Sequence, residues 1–135
     1  MPYPELMVAP MRQELVNLGV TELRTPEDVD QWMRGQSGTT MLVINSVCGC
    51  AAGAARPAVA LALKGAKLDG AATVFAGQDT DATQQARGYF PELPPSSPSI
   101  ILLRDGKLLD YIPRHRIERR PAQDIAQDIT AAVSK

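Results

Sequence analysis

The chain carries almost no excess charge of either sign: 14 Lys and Arg against 15 Asp and Glu leave a net −1. That balance offers no global attraction to nucleic acid or to an anionic membrane, so neither is expected as a partner and any charge effect must be local. The opening Met1-Pro2-Tyr3-Pro4-Glu5 has no basic segment followed by an apolar one, so no secretory signal is read and the cytoplasm is the expected compartment. Long apolar runs are missing too. The uncharged stretch from Ser37 to Ala55 raises the question of a membrane span, but Ser37, Gly38, Thr39, Thr40, Asn45, Ser46, Gly49 and Gly53 interrupt it, and a spanning helix needs predominantly apolar residues. No internal repeat or low-complexity tail occurs. Histidine is reduced to His115 and cysteine to Cys48 and Cys50. A closed zinc site, which needs four ligands, would therefore have to recruit carboxylates.

The two cysteines sit together as Cys48-Gly49-Cys50, where the apolar run Met41-Leu42-Val43-Ile44 gives way to an Ala-rich stretch. In a cytosolic setting such a pair reads as catalytic, redox-active or metal-binding rather than as a structural staple. A bridge across one residue would also constrain the unfolded chain very little. A thiol at a helix N-terminus faces partially positive N–H groups and ionises more easily, so the triplet reads as reactive sulfur.

With 135 residues and 44% hydrophobic content, one globular domain spanning 1–135 is expected. Pro10 is expected to open a first helix carrying Met11, Leu15 and Leu18, stopped by Gly19. Val20 to Leu23 suits an edge strand. Thr25-Pro26-Glu27-Asp28 predicts a helix start with Thr25 as cap, and Val29, Trp32 and Met33 facing inward. Thr40 to Ile44 reads as a buried strand. Val59, Leu61 and Leu63 support a helix ending near Gly65, with a kink expected at Pro57. Ala71 to Ala76 is a second central strand and Asp79 to Arg87 a polar helix. The four prolines from Pro91 to Pro98 make a loop. Ser99 to Leu103 and Lys107 to Ile112 flank Arg104-Asp105-Gly106 as a hairpin, and Pro121 opens a helix with Ile125, Ile129 and Val133 on one stripe. This order predicts an α/β fold: a mixed central sheet with a parallel βαβ part, an antiparallel hairpin, and helices on both faces.

A cysteine motif that ends a strand and opens a helix, with Ser97-Pro98 just ahead of a hairpin, resembles the thioredoxin-like fold. There the proline is cis and packs beside the active sulfur, and Pro98 matches it. Three segments make the resemblance closer. They are the triplet after Val43-Ile44-Asn45-Ser46-Val47, its continuation Ala51-Ala52-Gly53-Ala54-Ala55-Arg56-Pro57, and Pro113-Arg114-His115-Arg116-Ile117-Glu118. With Pro4-Glu5-Leu6-Met7 and the Pro94 to Ile100 loop, they resemble the bacilliredoxin family of bacterial thiol-disulfide proteins.

The resemblance implies that the chain removes bacillithiol, a sugar-malate-cysteine thiol, from mixed disulfides on client proteins. Bacillithiol is then a co-substrate and no cofactor is needed. It also implies Cys48 as the attacking thiol, Cys50 as candidate resolving thiol and Pro98 as the proline beside the site. Thiol-disulfide isomerisation is a described alternative in the family. Thioredoxin itself has two residues between its cysteines and a Trp before them; here a single Gly intervenes and Val47 precedes. Arg119 stands where a Gly is expected in the family, which bears on the loop geometry after Glu118.

Other readings stay open at this point. The pair can hold a soft metal ion, act as a non-catalytic redox sensor, or be two small buried hydrophobes. Gly49 and Gly53 fit neither the dinucleotide fingerprint nor the Walker pattern, but can help bind a carboxylate of the small thiol. Arg114, His115 and Arg116, with Arg119 and Arg120, form a basic segment. Its guanidinium forks suit the malate carboxylates, although a solvated surface loop is the plain alternative. Ser97, Pro98 and Gly49 complete the expected substrate contacts. Arg56, two turns into the helix, is read as solvent-facing because of that distance, against a role in lowering the thiol pKa from nearby; Trp32 and Tyr111 are read as core or core-edge, and Tyr89-Phe90-Pro91 as either an apolar docking rim or a loop anchor.

Overall fold

In the computed structural model, which describes residues 2–135, the chain runs α1 (Glu5–Val16), β1 (Thr21–Glu22), α2 (Pro26–Arg34) and β2 (Thr39–Asn45). A π-helical turn (Ala51–Ala55) then leads into α3 (Arg56–Gly65), followed by β3 (Gly70–Phe75), α4 (Thr80–Gly88), β4 (Ser99–Arg104) and β5 (Lys107–Ile112). A 3-10 turn (Arg114–Arg116) and α5 (Ala122–Val133) complete it.

The strands form one sheet in the order β1-β3-β2-β4-β5. β3 pairs in parallel with β1 and β2, whereas β4 is antiparallel to both β2 and β5. Strand alternation divides the core. Met41, Val43, Ile100 and Leu102 face a cluster with Val59, Ile125 and Ile129 from α3 and α5; Leu42, Ile44, Ile101 and Leu103 face Val29, Ala82 and Ala86 from α2 and α4. The β4–β5 turn has Asp105 at φ 53° and Gly106 at φ 79°, the twist a two-residue hairpin needs.

Most expected elements form where the sequence puts them. Thr25 caps α2 with a reciprocal box: its hydroxyl accepts the Asp28 N–H, and the Asp28 carboxylate accepts the Thr25 N–H. The first helix is a correction. It starts at Glu5 with Pro4 as its cap, so Pro10 lies inside α1 instead of opening it, and Leu18 falls beyond its end. Pro10 is tolerated because it sits on the exposed side, where the carbonyl one turn back can bond to water.

The helix after the cysteines is a second correction. Instead of a simple kink at Pro57, the backbone widens into the π turn, in which the Arg56 N–H reaches the Ala51 carbonyl, and α3 starts with Pro57 in its first turn. A wider turn relieves the clash a proline ring makes with the carbonyl four residues back. Leu61 is exposed, as it must be when Val59 is buried, because residues two apart lie on opposite sides of a helix.

Candidate active site

The sheet delivers three separated segments to one edge. β2 ends at Asn45 and hands over to Ser46-Val47-Cys48. Because Ile44 pairs with Ser99, the residue ahead of β4, Pro98, comes opposite Asn45; the Ser97–Pro98 bond is cis and Pro98 is buried. β5 lies beyond β4 and releases the chain into the Arg114–Arg116 turn at the same edge. Ser96 joins two of these segments: its hydroxyl accepts the Arg114 N–H at 2.7 Å, while its carbonyl accepts from the Ser99 hydroxyl and from Arg87. Tyr111 braces the same loop by donating to the Pro94 carbonyl at 2.9 Å.

Cys48 and Cys50 are free thiols, both half-buried, with their Sγ atoms 2.7 Å apart. The Cys48 carbonyl accepts from the Ala51 and Ala52 N–H groups, so the helix begins at this residue. Burial works to raise the Cys48 thiol. Hydrogen bonds from the Cys50 thiol, the Ser46 side chain and the Ala51 and Cys50 amides outweigh it, and the net shift is below the usual thiol range. Cys50 moves the opposite way. Burial raises it, and the hydrogen bond to Cys48 and the repulsion from that neighbouring sulfur add to the rise, against a smaller pull from Arg114. Two thiols in contact cannot both ionise easily, and here the first takes the charge.

The expected site residues divide by position. Arg114 pairs with Glu118 at 3.1 Å and is held protonated first by that contact and then by the fields of Cys50 and Cys48. Arg116 instead donates to the Tyr111 carbonyl and lies 3.5 Å from Asp128, and Arg120 donates to the same Asp128 at 2.6 Å. These two guanidiniums tie the turn to α5. His115 stands exposed on the turn, and Gly49 is exposed with nothing within 4 Å of where a Cβ would be. Arg119 adopts φ 63°, so the backbone keeps the left-handed bend that a glycine would take there. The apolar-rim reading of Tyr89-Phe90-Pro91 gives way to the loop anchor: Phe90 is buried in the core, and the Tyr89 hydroxyl donates to Asp30 at 2.6 Å. Among the described residues no group of three or more His, Cys, Asp or Glu is placed to hold a metal ion.

Arg56 is the residue that sequence reasoning misplaced. It is 3% exposed, not solvent-facing, and lies under the strand-to-helix bend. Its Nε donates to Glu14 at 2.6 Å, and its Nη1 donates both to Asn45 Oδ1 at 2.9 Å and to the Ser46 carbonyl at 3.0 Å. Asn45 Oδ1 also accepts the Ser46 N–H, and Ser46 Oγ accepts the Cys48 N–H at 3.2 Å. A signal was present: Arg56 stands three residues before Val59, on the buried stripe of α3, where a solvated charge does not belong.

Comparison with known proteins agrees with this arrangement. A family model described as Disulphide isomerase matches residues 3–135. The chain is 53% identical to a Bacilliredoxin of Koribacter versatilis over 131 residues, which is 96% of this chain and 90% of the relative. It is 54% identical to one of Symbiobacterium thermophilum over 123 residues (91% and 88%) and 49% identical to one of Bacillus licheniformis over 135 residues (98% and 94%). A solved structure described as having a thioredoxin fold superposes with a TM-score of 0.61 at 14% identity, covering 86% of this chain and 94% of that one. That likeness shows the fold: a thioredoxin fold, with the mixed sheet in the order the strands take here.

Proposed function

Because the chain belongs to the bacilliredoxin family, we propose that it is a thiol-disulfide oxidoreductase that frees client proteins from mixed disulfides with bacillithiol or a similar small thiol. The observation that carries this reading is the pair of sulfurs 2.7 Å apart, with the first lowered and the second raised in pKa. The Cys48 thiolate attacks the bacillithiol sulfur, a Cys48–bacillithiol bond forms, and the client leaves as a thiolate that takes a proton from water. Cys50, once deprotonated, attacks Cys48 Sγ and expels bacillithiol as a thiolate. The two cysteines are then oxidised to a disulfide and await reduction by another thiol. A second bacillithiol can instead remove the first, yielding the small-thiol disulfide.

Arg114 is the basic residue whose charge reaches both sulfurs, which supports it as the partner of a malate carboxylate. Gly49 has open space where a Cβ would be, Ser97 and Pro98 lead into β4 at the same end of the sheet, and His115 and Arg116 share the turn with Arg114, which supports them as further substrate contacts. The cytoplasm, with its reducing thiol pool, suits a pair that must return to the free thiol. Among the described residues no helix is long and apolar enough to cross a membrane. Both core clusters flank one sheet, which supports treating 1–135 as one domain. A second reading, protein disulfide isomerisation, is favoured by the description of the matching family and would use the same Cys48 attack on a protein disulfide.

Intact mass spectrometry after mixing with a bacillithiolated protein tests the scheme. Cys50→Ser should accumulate a one-bacillithiol adduct on Cys48 while the client is released, and Cys48→Ser should release none. Equal release by Cys48→Ser would sink the assignment.

A further inference from the structure

Resting on the reading of Cys48 as the attacking thiol, we propose that Arg56 is a positioning residue for it, fixing the Asn45–Ser46 bend so that the Ser46 hydroxyl is held against the Cys48 backbone amide at the start of the active helix. The guanidinium is buried, and its single Nη1 spans two acceptors that both belong to the segment leading into Cys48. Ser46 is thereby held at both ends. Its N–H is taken by Asn45 Oδ1, an oxygen that also accepts from Arg56 while Asn45 Nδ2 donates to the Met11 carbonyl, and the Ser46 carbonyl is taken by Arg56. From this pinned peptide the hydroxyl accepts the Cys48 N–H at 3.2 Å. Hydrogen bonding by that same side chain is among the interactions that favour the Cys48 thiolate.

The action is one of placement rather than of a direct field. Glu14 of α1 lies 2.6 Å from Arg56 Nε and balances its charge. The groups facing Cys48 are Cys50 from the helix start and Arg114 from the turn after β5, and Arg56 hydrogen-bonds to neither sulfur. Two helices and a strand therefore converge on one serine: α1 through Glu14, α3 through Arg56, and β2 through Asn45. A guanidinium suits this role because its fork presents donors in fixed directions, whereas an ammonium is a single point. A purely structural ion pair would act on stability alone. Removing it would lower stability and leave the thiol as it was.

The test is the pH profile of Cys48 alkylation by iodoacetamide, read in a Cys50→Ser parent so that one sulfur reports. Arg56→Met should move the midpoint upward and slow the reaction at pH 7 about fivefold or more, since only the thiolate reacts. Arg56→Lys should recover part of the loss. Ser46→Ala should shift the midpoint in the same direction, and adding Arg56→Met to it should slow alkylation no further, because the effect runs through that hydroxyl. Val29→Ala, in the core on the opposite face of the sheet, should lower the melting temperature and leave the midpoint in place. The proposal is overturned if folded Arg56→Met keeps the parent midpoint, or if the two substitutions multiply independently. Should Arg56→Met fail to fold, an unmoved midpoint in Arg56→Lys or in Ser46→Ala overturns it equally. A Cys48 midpoint at the ordinary thiol value in the wild-type protein, where Cys50 is present, would instead fail the functional reading itself, and peptide-resolved alkylation of the wild type reads it separately.

Discussion

Arg119 shows what a single residue can and cannot change. At φ 63° an L side chain meets its own backbone, a conformation glycine adopts freely, and the neighbouring Arg120 N–H still closes onto the Ile117 carbonyl. The bend is thus kept while the residue bears the strain. Arg119→Gly should raise stability by about 0.5–1 kcal/mol in urea unfolding, the relief of left-handed strain outweighing the added freedom of the unfolded chain; a destabilised variant would show that the Arg side chain contributes more than its backbone costs. At this scale the reactive pair was legible because Cys-Gly-Cys between an apolar run and an alanine run has few other readings. Arg56 was not, because its distance from Cys48 along the chain hides the helical face it occupies. Counting from Val59 puts its guanidinium on the buried side, where Glu14 and the Ser46 carbonyl receive it.

At the scale of elements, local signals worked where the chain solves its problem locally. The α2 box is written in Thr25 and Asp28, and the hairpin turn in Asp105-Gly106. The start of α1 is harder to read because Pro10 commonly opens a helix, while here Pro4 and Glu5 supply an earlier cap and first-turn acid. The π turn before α3 is not legible as such, since a proline announces an irregularity without saying which kind. The contact between the proline loop and the turn after β5 was also beyond local reading. It joins Ser96 to Arg114 across 18 residues and depends on β4 and β5 lying side by side. Ser96→Ala removes the acceptor for the Arg114 N–H. It should raise KM for a bacillithiolated client severalfold; an unaltered KM would mean that this tie does not position Arg114 for substrate.

Across the whole molecule, the fold converts sequence separation into an asymmetric pair of thiols. Residues 45–56, the loop ending at Pro98 and the turn at Arg114 meet only because β2, β4 and β5 are neighbours in one sheet. In the unfolded chain, Cys48 and Cys50 are two ordinary cysteines flanking a glycine. In the folded one, the first has Ser46, Cys50 and the helix amides to favour its anion, and the second is opposed by burial and by that anion. For a group that loses a proton, a lowered pKa means that the reactive thiolate appears at lower pH in the native protein than in the unfolded chain. The most direct measurement is peptide-resolved alkylation of wild-type protein across pH, native and in urea. Native Cys48 should be modified first, with a midpoint below that of the unfolded chain and with Cys50 lagging above it, and urea should bring the two cysteines together. Native cysteines that titrate alike, or Cys50 reacting ahead of Cys48, would contradict the account.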